Sequence, residues 1–98
     1  MSGFFSNNMA QNQCMFLNQI SKKGVVKIIG FSQNISLKIK RRLLELGFVK
    51  DTIITLTEKS FLNEVLLVEL NGYCLSLRSD IAKHIIVEKI LMENNYAK

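Results

Sequence analysis

Val65–Arg78, VLLVELNGYCLSLR, carries the short-range signal that sets a register in this chain. An Asn-Gly pair between two apolar runs marks a type I′ hairpin, because both central residues of that turn take positive φ. Centring the turn on Asn71-Gly72 puts Leu70 opposite Tyr73, Val68 opposite Leu75 and Leu66 opposite Leu77 on one face. The other face pairs Glu69 with Cys74, Leu67 with Ser76 and Val65 with Arg78. Apolar pairs on one side and mixed pairs on the other predict a sheet with a single core face. On this register Cys74 points outward and Tyr73 inward.

Upstream, Gly30–Phe48, GFSQNISLKIKRRLLELGF, is the one segment that reads as a full helix. Ser36 is the expected N-cap, its side-chain oxygen accepting from a backbone N–H of the first turn. Gly47 is the expected C′ residue, where a left-handed conformation carries no Cβ penalty. Ile39, Leu43 and Leu46 share one face, with Ile35 leading in, while Lys38, Arg41, Arg42 and Glu45 fall opposite. Leu37 and Leu44, one heptad apart, form a second and smaller apolar patch. A helix with two such patches sits deep in a core or touches something besides its own domain.

The remaining pieces are short. Cys14–Ile20 is expected as one helical turn that folds Phe16, Leu17 and Ile20 onto the core. Lys22-Lys23-Gly24 and Lys50-Asp51 are turns. Val25–Ile29 and Thr52–Thr57 are strands, the second alternating Ile54 and Leu56 with solvent-facing threonines. Glu58–Glu64 is a loop with Phe61 and Leu62 near its tip. Ser79 and Asp80 can cap a short turn through Ile81 and Ala82, and Ile85–Ile90 is the last strand. The chain is therefore expected to be mainly β, with about five strands, one helix after the first and a helical turn before the last. Short, twisted strands of this kind commonly close into a small barrel. The barrel domain is expected over residues 14–91, with a flexible extension at 1–13, carrying Phe4 and Phe5, and a tail at 92–98.

Length and composition bound the function. A chain of 98 residues makes one domain, and 48% hydrophobic residues with mean hydropathy +0.17 support a packed core. A net charge of +5 and a pI near 9.4 suit nucleic acid, an anionic membrane face or an acidic protein, as well as an ordinary soluble basic domain. Cys14 and Cys74 have no C-x-x-C spacing and read as free thiols of a reducing compartment. The first 21 residues carry no charge. They are rich in Asn, Gln and Ser and lack both a basic n-region and an apolar h-region, so they are not a signal peptide. No run approaches the roughly 20 apolar residues of a membrane span. A cytoplasmic protein is expected.

For catalysis the sequence offers no Gly-rich phosphate loop, no nucleophile with a base and no paired carboxylates on one element. Asp80 and His84, four apart, read as a capping residue and a surface or half-buried histidine. Cys14, Cys74 and His84 are the weak metal candidates. They lie in different elements, whereas a site needs three or four converging donors. No cofactor is expected, and adventitious zinc binding is compatible with these groups. The basic cluster Lys38, Lys40, Arg41 and Arg42 has three readings: a solvated face, a nucleic-acid site, or a dock for an acidic protein. Nucleic-acid binding usually stacks bases on strand aromatics, and these strands are aliphatic apart from Tyr73.

The ordered set of Val26–Phe31 (VKIIGF), Arg42–Phe48 (RLLELGF), the hairpin from Val68 to Arg78 and Ile85–Glu88 (IIVE) resembles the FeoA family. The resemblance covers roughly Leu17–Ile90. It departs at Lys50-Asp51, where members typically carry a Pro-Gly turn, and at Phe61-Leu62-Asn63-Glu64, where they often carry Gly-Asp-Pro. It implies an SH3-like barrel and a non-enzymatic accessory role beside the FeoB ferrous-iron transporter, with iron handled indirectly. It favours the protein-docking reading of the helix, giving Leu37, Lys40, Arg41 and Leu44 as partner-binding residues, extended by Phe61 and Leu62. A similar barrel closes metal-dependent repressors of the DtxR type, so the alternative is a regulatory barrel that binds nucleic acid or senses a transition metal.

Overall fold

Period-2 alternation of apolar residues builds most of the molecule. Six strands form: β1 (Cys14–Phe16), β2 (Val25–Phe31), β3 (Ile53–Lys59), β4 (Val65–Leu70), β5 (Tyr73–Arg78) and β6 (Ile85–Lys89). Helix α1 (Leu37–Leu46) lies between β2 and β3, and the short α2 (Ser79–Ala82) between β5 and β6. This computed structural model describes residues 14–90. The expected extension at 1–13, with Phe4 and Phe5, and the tail at 92–98 lie outside the described residues.

The strands make one antiparallel sheet in the order β1-β6-β2-β3-β4-β5. Register shifts between Ile28 and Gly30 in β2, and between Leu56 and Glu58 in β3, are places where such a sheet bends. Val26, Ile28, Ile54, Leu56, Leu66 and Val68 alternate inward and have no exposed surface. Each such side chain contributes about 1.5–3 kcal/mol of burial. Phe48, immediately after α1, completes this core.

The hairpin register is the expected one, residue for residue from Val65↔Arg78 to Leu70↔Tyr73. Asn71 and Gly72 both take positive φ, 51° and 85°. Positive φ at Lys23 and Asp51 confirms the other two turns.

Several expectations are corrected. Cys14–Phe16 is a strand paired with β6, not a helical turn, so the sheet has six strands rather than about five. The turn is confined to a 3-10 helix at Leu17–Gln19, which the Gln19 Oε1 stabilises by accepting from Phe16 N at 2.9 Å. Leu17 and Ile20 are buried as expected, but Phe16, on the edge strand, is exposed. β2 runs on to Phe31 because its far end pairs with β6 beyond the bulge, and β3 runs on to Lys59 because it pairs with Leu66. The last strand ends at Lys89 instead of Ile90. Tyr73 shares the core-side alternation but sits at the end of the hairpin and is 42% exposed. Its hydroxyl donates to the Leu46 carbonyl. Arg78, not Ser79 or Asp80, is the N-cap of α2, and no side chain caps that turn.

Among the described residues no ladder joins the two edge strands β1 and β5. Helical turns fill that gap instead: α2 packs against β4, β5 and the 3-10 turn. The Lys59 ammonium adds a link by donating to Asn18 O at 3.3 Å.

Candidate functional site

The candidate site is the side of α1 turned away from the sheet. Its ends are fixed by local chemistry. Ser36 Oγ accepts from Ile39 N at 3.2 Å, and Gly47 takes φ 107°. Gly47 N donates to Leu44 O and Phe48 N to Leu43 O, at 3.1 and 3.0 Å, the paired bonds of a Schellman stop. That stop delivers Phe48 into the same core as Leu43, the only buried residue of the helix. Ile35, Ile39 and Leu46 pack part-buried beside it.

The opposite side is open. Leu37 is 67% and Leu44 41% exposed. Leu37 and Arg41 line one shallow depression of about 480 Å³ together with Lys38, Arg42 and Glu45. The ion pairs among the described residues are Lys22–Glu58 and Arg78–Asp80, so Lys38, Arg41 and Arg42 face solvent without a carboxylate partner there. Lys40 is different. Its ammonium lies 5.9 Å from the centre of the Phe31 ring, within reach of a cation–π contact, which ties it to β2.

Phe61 and Leu62 form the tip of the β3–β4 turn and are 98% and 68% exposed. They do not fold back onto the barrel rim. The turn is held from below: Ser60 Oγ accepts from Glu64 N at 2.9 Å and Val65 N at 3.1 Å, and Asn63 takes φ 60°. Neither residue lines the depression on α1.

The metal candidates are not brought together. Cys14 and Cys74 are exposed on the two edge strands, and no group of three His, Cys, Asp or Glu side chains among the described residues could hold an ion. His84 is part-buried with its Nδ1 unpartnered, while Asp80 engages Arg78 Nε at 3.3 Å. No helix of the described residues is long and apolar enough to cross a membrane.

Sequence reasoning missed a groove on the inner flank of α1, where Ile39, Leu43 and Leu46 face Leu77 of β5 and Ile81 of α2. The signal was available in part: Leu77 and Ile81 both point to the helix side, but the placement of α1 along β5 is a tertiary fact.

One antiparallel six-stranded sheet with a single full helix between its second and third strands is the architecture of an SH3-like domain. A family model of the FeoA domain matches residues 15–89, most of the chain. A Campylobacter jejuni protein named for Fe(2+) transport (protein A) is 38% identical over 76 residues, which is 78% of this chain and all of that one. The chain belongs to the FeoA family. The solution structure of a FeoA-like protein from Clostridium acetobutylicum superposes with a TM-score of 0.72 at 34% identity, covering 81% of this chain and 90% of that one. The zinc complex of Stenotrophomonas maltophilia FeoA, described as an SH3 domain protein and a candidate activating factor of ferrous iron transport, superposes at 0.67 with 29% identity. That match covers 76% of this chain and 89% of that one.

Proposed function

We propose that this FeoA-family chain is a non-enzymatic, cytoplasmic accessory protein of ferrous iron transport that docks on the cytoplasmic GTPase region of a FeoB-type transporter. The observation that carries the reading is the outer side of α1. Leu37 and Leu44 supply apolar contact there, and Lys38, Arg41 and Arg42, which form no ion pair among the described residues, supply a net positive charge beside the single Glu45. Desolvated apolar anchors carry most binding energy, and surrounding charges steer encounter and register. Phe61 and Leu62 offer a second, separate contact.

Docking regulates transport if the partner binds one transporter state better than another, because that differential affinity is a coupling free energy. Recruitment to the membrane then follows from the partner. A pull-down of the transporter's GTPase region by the full chain tests this. Arg41→Glu with Leu44→Gln is expected to abolish capture without loss of fold; undiminished capture would move the interface elsewhere. For the nucleic-acid alternative, the strand aromatics among the described residues are Phe16, Phe31 and Tyr73, not Tyr73 alone as the sequence suggested, and the Tyr73 hydroxyl is engaged by Leu46. Affinity for DNA or RNA that falls steeply with salt would favour that alternative.

A further inference from the structure

Among the described residues strand β5 ends the sheet, and its hydrogen-bonding parity is fixed by two observations. The two-residue turn makes Leu70–Tyr73 a bonded pair. At the other end Ser79 N donates to Glu64 O at 2.9 Å, which makes Glu64–Ser79 a bonded pair too. Bonded and non-bonded pairs alternate in an antiparallel ladder. Tyr73, Leu75 and Leu77 therefore bond to β4, while Cys74, Ser76 and Arg78 direct their N–H and C=O groups to the open edge.

Beside that edge lies the groove. Helix α1 runs antiparallel to β5, its C-terminal end fixed where the Tyr73 hydroxyl meets Leu46 O and its first turn facing Ile81. Between them is a depression of about 340 Å³ with a floor of Ile39, Leu43, Leu46 and Leu77. Lys38 and Arg42 stand on its outer rim, neither with a carboxylate partner among the described residues.

The geometry points to a β-augmentation site: an extended, acidic segment of a partner protein adds to β5 as a further strand. Its alternate apolar side chains fill the groove and its carboxylates meet Lys38 and Arg42. Main-chain bonds then give affinity and the groove gives specificity. A second copy of this chain is disfavoured as occupant, since it would bring its own Lys38 and Arg42 to a cationic rim. This deepens the docking role proposed above and rests on it, but Arg41 and Leu44 lie outside the groove, so the two can fail separately.

The probe is an acetylated, amidated octapeptide alternating valine and glutamate, compared with one alternating valine and lysine. With ¹⁵N-labelled full chain, the acidic peptide is expected to shift the amides of Cys74, Ser76 and Arg78 and slow their hydrogen exchange. Ser76→Pro removes an N–H that β4 does not use, as an edge strand tolerates. It is expected to keep the fold by circular dichroism and weaken the acidic peptide at least about tenfold. Lys38→Glu with Arg42→Glu, both on an exposed helix face, is expected to reverse the preference between the two peptides. Equal binding of both peptides by the native chain, unchanged affinity in the proline variant, or no edge-amide shift at millimolar acidic peptide would overturn the inference. Protection of those amides without peptide would also overturn it. If concentration-dependent, that protection would assign the edge to a second copy; if not, to the chain's own residues 1–13 or 91–98.

Discussion

Strand β4 and helix α1 use their apolar residues in opposite ways. β4 buries Leu66, Val68 and Leu70, half its length, and α1 buries Leu43 alone out of ten residues. The strand spends its hydrophobic surface on the fold. The helix buries Leu43, rests Ile39 and Leu46 part-buried on the core, and keeps Leu37 and Leu44 more exposed, where folding gains less from them. Free-energy changes from substitution should therefore be large in β4 and graded along α1. On the outer side of α1 they should be near zero for stability and large for binding.

This contrast can be broken at several points. Val68→Asp puts an uncompensated carboxylate where no water reaches, and loss of the folded state by circular dichroism is expected. Leu43→Ala is next, at about 2–4 kcal/mol in urea unfolding, because it removes the only buried anchor of α1. If it cost as little as an exposed leucine, the helix would be held by something other than that contact. Gly47→Ala is expected to cost about 1–2 kcal/mol, since φ 107° is available to glycine and not to alanine without strain. Ser36→Ala, which deletes the acceptor for Ile39 N, is expected to cost about 1 kcal/mol. Arg41→Glu with Leu44→Gln should stay within about 0.5 kcal/mol of the native stability.

The same two elements explain what was legible in the sequence. Asn71-Gly72 admits one turn type, and a one-residue slip would carry Leu66, Val68 and Leu70 to the solvent face, so the register of β4 and β5 could be read directly. Ser36 and Gly47 act through local backbone chemistry, and both ends of α1 were readable for that reason. What depends on distant partners was not. Cys14–Phe16 is too short to alternate detectably, and it is a strand because β6 offers an edge. Tyr73 obeys the inward alternation yet lies past the end of the core, where only the position of Leu46 gives its hydroxyl an acceptor. The extra length of β2 and β3 follows bulges that the sequence does not signal. For the site, the exposure of Leu37 and Leu44 was visible as a second apolar patch. The tie between Lys40 and Phe31 was not, and neither was the groove at Leu77 and Ile81, because both depend on where α1 lies against the sheet.

The central claim is that the outer side of α1 serves a partner and not the fold. Calorimetric titration of a FeoB-type GTPase region with the native chain and with the Arg41→Glu, Leu44→Gln variant, alongside their melting temperatures, tests it most directly. The predicted result is an affinity loss of at least about a hundredfold, within the range of truncated anchor residues, at an unchanged melting temperature. Equal affinities, or a loss of binding that merely tracks a loss of stability, would contradict it.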